Sequence, residues 1–147
     1  TGAKERTIKF DIVNLVSEII GKYNNPKIKF LETDEIIFEG RKDLLKRCIN
    51  NIIDNSLKYG KRIDINLKRL RKELVLKIED DGPGIPESEI ENVLKPFYKI
   101  DKSRSESKNS VGLGLSISSD IARSHGGKLQ LEKSNLGGLK VNIFLPL

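Results

Sequence analysis

Ile63, Ile65 and Leu67 alternate with Asp64, Asn66 and Lys68, and a few residues later Leu74, Leu76 and Ile78 alternate with Val75, Lys77 and Glu79. Successive side chains of a strand point to opposite faces, so both segments read as strands, a probable hairpin, with one apolar and one largely polar side. A sheet built from such strands needs cover on one face only, which excludes a doubly wound sheet wrapped by helices on both faces. The expected fold is therefore α+β: a two-layer α/β sandwich, a mixed sheet of about five strands covered on one face by about three helices.

The cover is legible as helical periodicity. Ile12, Leu15, Val16, Ile19, Ile20 and Tyr23 recur at helical spacing, with Asp11 placed to cap the start and the run from Gly21 to Pro26 carrying stop signals. From Asp43 to Tyr59 the residues Leu45, Cys48, Ile49, Ile52, Ile53 and Leu57 form one apolar stripe, ended by Gly60. Leu113 to Ser124 reads as a third helix and Pro86 to Leu94 as a short one. Ile8 and Phe10, Lys27 to Leu31 and Ile36 to Glu39 read as short strands, and Lys128 to Lys133 with Leu139 to Leu145 as a closing pair. The segment from Lys99 to Val111, rich in Ser and charge and without hydrophobic period, reads as a mobile loop.

At 147 residues the chain suits one domain with a real core. Residues 1–6 read as a linker and 7–147 as the domain, with no run of roughly 18 apolar residues to span a membrane. The single cysteine, Cys48, excludes an internal disulfide and, set in the apolar stripe, is expected to be a buried inert thiol in a reducing compartment. The 27 Lys and Arg against 21 Asp and Glu give a net charge of +6. These cations lack the interleaved aromatics on which single-stranded nucleic acid stacks, so a solvated surface is expected and no nucleic-acid partner.

Several residues point to chemistry. Asn51, Asn55, Lys58 and Tyr59 project from one side of the second helix, away from its apolar stripe. That side could be an ordinary solvated face, or the amides, ammonium and phenol that a magnesium-bound triphosphate with a stacked base requires. Asp80 shares strand parity with Leu74, Leu76 and Ile78, so it points toward the helix layer and needs a donor there. Gly82, Gly84 and Ile85 follow it in a run that reads either as a tight turn or as a place where a planar ligand approaches the backbone. Gly112, Leu113, Gly114 and Leu115 precede the third helix, whose free amides and dipole would meet an anion.

In this order, Asn51 to Gly60, Asp80 to Gly84, Pro96 with Phe97, and Gly112 to Leu115 resemble the N, G1, F and G2 boxes of the ATP-binding domains of bacterial sensor histidine kinases. The resemblance runs from about Phe10 to the closing Phe144-Leu145-Pro146-Leu147 and implies the Bergerat-type ATP-binding fold. It implies that Asn55 binds Mg²⁺, that Asn51 and Lys58 hold phosphate oxygens as catalytic residues, and that Tyr59 packs on adenine. Asp80 would accept from the adenine amino group, a contact that guanine cannot supply. Residues 99–111 would form the ATP lid, with Lys99 and Arg104 reaching the phosphates. The sequence departs from the family pattern at Ser110, Ser56 and Lys99, where glycine, alanine and arginine are usual.

The resemblance further implies donation of the γ-phosphoryl group to a histidine on a separate dimerisation domain, with a response regulator downstream. Gyrase-like and chaperone-like relatives carry a water-activating glutamate where Asn51 stands, so efficient hydrolysis is not expected. His125, the one histidine, sits at a helix terminus outside a phosphoacceptor motif and is expected to be structural. This chain should be a monomeric cytoplasmic piece of a homodimeric parent anchored in the bacterial inner membrane. The runs Glu79 to Ile85 and Gly137 to Leu139 resemble osmolarity-sensing members.

Overall fold

The computed structural model describes residues 5–95 and 106–147, with backbone alone for 106–113. The elements follow as β1 (Ile8–Asp11), α1 (Ile12–Tyr23), β2 (Ile28–Phe30), β3 (Ile37–Gly40), α2 (Lys42–Tyr59), β4 (Ile63–Arg69), β5 (Glu73–Asp80), a 3₁₀ turn (Glu87–Glu89), α3 (Glu106–Ser124), β6 (Lys128–Lys133) and β7 (Leu139–Pro146). Five strands form the main sheet in the order β2-β4-β5-β7-β6. Only β2 and β4 are parallel, and every other neighbouring pair is antiparallel. The mixed sheet and its three helices are those expected from the alternation. β1 and β3 instead pair with each other as a separate antiparallel ribbon.

The strand pattern fixes what each layer buries. Ile63, Ile65 and Leu67 of β4, Leu74, Leu76 and Ile78 of β5, and Val141, Ile143 and Leu145 of β7 are all buried on the inner face. They meet Val16 and Ile19 of α1, Leu45, Ile49, Ile52 and Ile53 of α2, and Leu115, Ile121 and Ala122 of α3 in one core. Each fully buried branched side chain there contributes about 1.5–3 kcal/mol. Small residues let α2 and α3 approach closely: the Ser118 hydroxyl donates to the Cys48 carbonyl at 2.8 Å, and the Cys48 thiol faces the Ser118 carbonyl at 3.6 Å. Burial pushes the Cys48 thiol up to about 12, against the lowering effect of its Ser118 hydrogen bond, as an inert core thiol requires.

Polar groups set the element ends. Asp11 accepts from the Val13 amide at 3.0 Å as the N-cap of α1, and the same oxygen accepts from the Ile36 amide at 3.2 Å. Tyr23 at the far end of α1 donates to Asp54 of α2 at 2.7 Å, and burial followed by that carboxylate raises its hydroxyl well above the ordinary range. α2 has no cap from its own Arg41. Glu5, which the sequence alone leaves in a linker, supplies it by accepting from the Asp43 amide at 2.6 Å and the Leu44 amide at 3.0 Å.

Two element boundaries differ from the periodicity reading. Between Pro86 and Leu94 the short helix reduces to the 3₁₀ turn Glu87–Glu89 followed by turns. α3 begins at Glu106 rather than near Leu113, so 106–111 of the expected loop are helical. That run has no proline, and an internal glycine costs only about 1 kcal/mol relative to alanine. No helix among the described residues is long and apolar enough to cross a membrane.

Candidate functional site

Beyond the C-terminal end of β5 the helix layer and sheet part to leave a cleft of about 800 Å³, whose lining includes Asn55, Tyr59, Asp80, Gly84, Ile85 and Gly138. α2 delivers the first two from the flank of its buried stripe, where Asn55 and Tyr59 are half-buried and Tyr59 packs against the core edge. Strand parity delivers Asp80: it continues the buried row of Leu74, Leu76 and Ile78 and is only 3% exposed.

A buried carboxylate needs donors, and two backbone amides supply them. Asp80 Oδ1 accepts from the Gly82 amide at 2.9 Å and the Leu139 amide at 3.3 Å. Its other oxygen, Oδ2, takes no hydrogen bond among the described residues, which leaves an acceptor on a side chain that lines the cleft. The Asp80 carbonyl accepts from the Gly138 amide at 3.0 Å. A Cβ at Gly138 would collide with Asp80 Oδ1, so the turn between β6 and β7 can close on this carboxylate only with glycine there. Gly84 has φ +72°, a region costly for other residues.

The adjacent Asp81 turns the other way. Its Oδ1 accepts from the amides of Lys61 at 2.7 Å and Arg62 at 3.0 Å, tying the chain just after α2 to the end of β5. Those two backbone hydrogen bonds hold its carboxyl below the usual carboxylate range.

The structure brings together Asn55, Tyr59, Asp80, Gly84 and Ile85 of the expected site. Gly82 lies behind the cleft, against the backbone of Tyr59. Asn51 is half-buried one helical turn before Asn55, and Lys58 is exposed on the last turn of α2; neither lines the cleft. Leu115 is fully buried in the core rather than in the cleft. Gly112, Leu113, Gly114 and Leu115 lie inside α3, six or more residues past its first residue Glu106, and not ahead of a helix N-terminus. Amides at those positions serve the helix's own ladder in this conformation. A methyl group added at Gly114 would meet nothing within 4 Å, so packing does not demand glycine there. Pro96, Phe97, Lys99 and Arg104 lie outside the described residues.

The sequence reading missed the opposite wall, where Leu131, Lys133, Gly137, Gly138 and Leu139 line the cleft. The paired glycines before β7 were the available signal. His125 is structural, as expected: its Nε2 accepts from the Arg41 amide at 3.0 Å and its Nδ1–H donates to the Ile121 carbonyl at 2.9 Å. Among the described residues no group of three or more His, Cys, Asp or Glu could hold a metal ion. The Asn55 amide oxygen on the cleft wall suits a hard cation that takes most of its ligands from phosphate and water.

Comparison with known proteins adds to this geometry. The family model described as histidine kinase-, DNA gyrase B- and HSP90-like ATPase matches residues 40–147. The sensor histidine kinase GtrS of Pseudomonas aeruginosa is 40% identical over 109 residues, covering 74% of this chain and 22% of that protein. The ATP-binding domain of PrrB from Mycobacterium tuberculosis superposes with a TM-score of 0.77 at 25% identity, over 95% of this chain and 96% of that one. The histidine kinase domain of the Escherichia coli osmosensor EnvZ does so with a TM-score of 0.74 at 28% identity, over 98% and 91%. The chain thus spans less than a quarter of the length of GtrS but nearly all of the two solved domains.

Proposed function

The chain belongs to the histidine kinase-, DNA gyrase B- and HSP90-like ATPase family, and from that membership we propose that it is the Mg·ATP-binding catalytic domain of a sensor histidine kinase. The observation that carries the nucleotide assignment is Asp80, a buried carboxylate fixed through one oxygen by two backbone amides while the other is left to accept. Adenine presents an amino group to such an acceptor. Guanine presents a carbonyl, and two acceptors face to face leave a buried polar group unpaired. Tyr59 and Ile85 on the cleft wall supply apolar surface for the base.

Asn55, with Asn51 and Lys58 on the same side of α2, then serves the phosphate end. Mg²⁺, held by Asn55 and the phosphates, supplies charge neutralisation there. Phosphoryl transfer depends mainly on alignment and neutralised charge, so these groups suffice to present the γ-phosphorus in line with a nucleophile. Asn51 offers no carboxylate to deprotonate water, and both ring nitrogens of His125 are engaged. By its likeness to sensor histidine kinases, the acceptor in this reading is a histidine of a separate dimerisation segment, whose nitrogen would bond the γ-phosphorus as ADP leaves with the bridging oxygen. Lys99 and Arg104 complete the phosphate contacts in this reading, and the stretch 112–115 would join them only in a conformation that frees its amides from the α3 ladder. The parent is a homodimer anchored in the bacterial inner membrane, with this domain on the cytoplasmic side, and it passes the phosphoryl group to a response regulator.

Calorimetric titration with ATP and GTP, with and without Mg²⁺, tests the assignment. ATP should bind in preference to GTP, more tightly with Mg²⁺. Asp80→Asn should weaken ATP by about 10- to 100-fold, the worth of a hydrogen bond to a buried charged group. Equal affinity for ATP and GTP, or an unchanged variant, would remove Asp80 from base recognition.

A further inference from the structure

The β4–β5 hairpin ends in Lys68-Arg69-Leu70-Arg71-Lys72, four cations around one leucine, closed by the Leu70 amide donating to the Glu73 carbonyl at 2.7 Å. All four cations are exposed, and none has an ion-pair partner among the described residues. A fifth stands beside them: Lys128 at the start of β6, with Nζ 5.2 Å from the centre of the Phe144 ring. The sheet register sets Lys68 opposite Val75, Val75 opposite Phe144 and Phe144 opposite Lys128, so the four share one row on the outer face. A groove of about 630 Å³ runs beside the tip, lined by Leu70, Arg71, Lys72, Gly126, Phe144 and Pro146, with Glu73 its one acidic wall residue. Leu147, 42% exposed, lies alongside, its amide bonded to the Lys72 carbonyl. β5 separates this end from Asp80 by roughly 25 Å, so the patch is distinct from the nucleotide cleft.

We propose that this hairpin tip and its groove are a docking surface for an anionic lipid bilayer. Three of the five cations are lysine, which protein interfaces deplete from their cores, and four exposed cations flank the single leucine of the tip. A lipid surface has no such requirement. Its headgroups reward each exposed Lys or Arg that comes within a Debye length, and Leu70 can enter the headgroup boundary between them. The four cations of the tip lie within five consecutive residues and are all exposed, so they can reach a flat surface together.

Cosedimentation with vesicles tests the proposal at about 0.1 M salt, where only charges within roughly 10 Å act. The chain should bind vesicles of phosphatidylglycerol mixed with phosphatidylcholine and not phosphatidylcholine alone. Arg69→Gln/Arg71→Gln/Lys72→Gln should lose on the order of 100-fold in partitioning, about fivefold for each cation. Lys22→Gln/Lys27→Gln/Lys29→Gln removes equal charge from another part of the surface and should retain most of the binding. Thermal midpoints equal to that of the unmodified chain would show both variants folded, and Arg71→Gln alone, with a fivefold loss at about the same salt, serves if the triple variant is not. Equal losses in the two triple variants, or no binding to phosphatidylglycerol, would overturn the proposal. Binding to soluble polyglutamate without binding to vesicles would overturn it in favour of an acidic protein partner.

Discussion

Asp80 and Asp81 are chemically identical neighbours with opposite roles, and strand parity separates them: one continues the buried row of β5, the other faces solvent and caps the chain after α2. Because the amides of Lys61 and Arg62 hold the Asp81 carboxyl below its unfolded value, the charged form is stabilised by folding. That contribution is fully present above the unfolded carboxylate range and is lost as pH falls through the lower folded pKa. The unmodified chain should therefore exceed Asp81→Asn in urea midpoint at neutral pH, and the two should converge as pH falls below the ordinary carboxylate range. A difference that stays constant with pH would assign the effect to geometry rather than charge. The inward aim of Asp80 was legible from parity alone. Its partners were not: Gly138 and Leu139 reach it from a turn nearly sixty residues on, and no local pattern encodes a contact between segments so far apart.

At the scale of elements, what could be read depended on whether the segment touches the core. α1, α2, β4 and β5 lie within about a residue of their periodic limits because each alternation or stripe ends where burial ends. Glu106–Ser110 joins α3 without contributing an apolar period, so its helicity left no mark in the pattern. The same holds for strand partners: alternation identifies β1 and β3 as strands but cannot say that they leave the main sheet for each other. The cap of α2 is a further case, since Glu5 lies 38 residues before the amide of Asp43 that it bonds. α2 carries the polar groups proposed for the phosphate end, and its first turn depends on that distant carboxylate. Glu5→Ala should cost about 1 kcal/mol, the usual worth of an N-cap, and lower the thermal midpoint by about 2–4 °C for a chain of this size. Glu5→Gln should recover part of the loss. An unchanged midpoint by circular dichroism would mean that water replaces the carboxylate at no cost.

For the molecule as a whole, one core joins the sheet, α2 and α3, and Cys48 sits where the two helices meet, fully buried and with its thiol pushed up to about 12. At neutral pH the thiolate is scarce and shielded, so a thiol reagent reaches it only when the structure opens. If α2 and α3 separate only as the whole domain unfolds, the labelling rate follows the global equilibrium, and any ligand of the folded state slows it by mass action. ATP with Mg²⁺ at about 100 times its dissociation constant should then slow Cys48 modification about 100-fold. GTP at the same concentration should slow it far less if Asp80 has the base-recognition role proposed for it. Labelling that ATP leaves unchanged would mean that α2 and α3 part locally while the cleft between α2 and the sheet persists. The nucleotide contacts proposed for Asn55 and Asp80 would then belong to a cooperative unit that excludes α3.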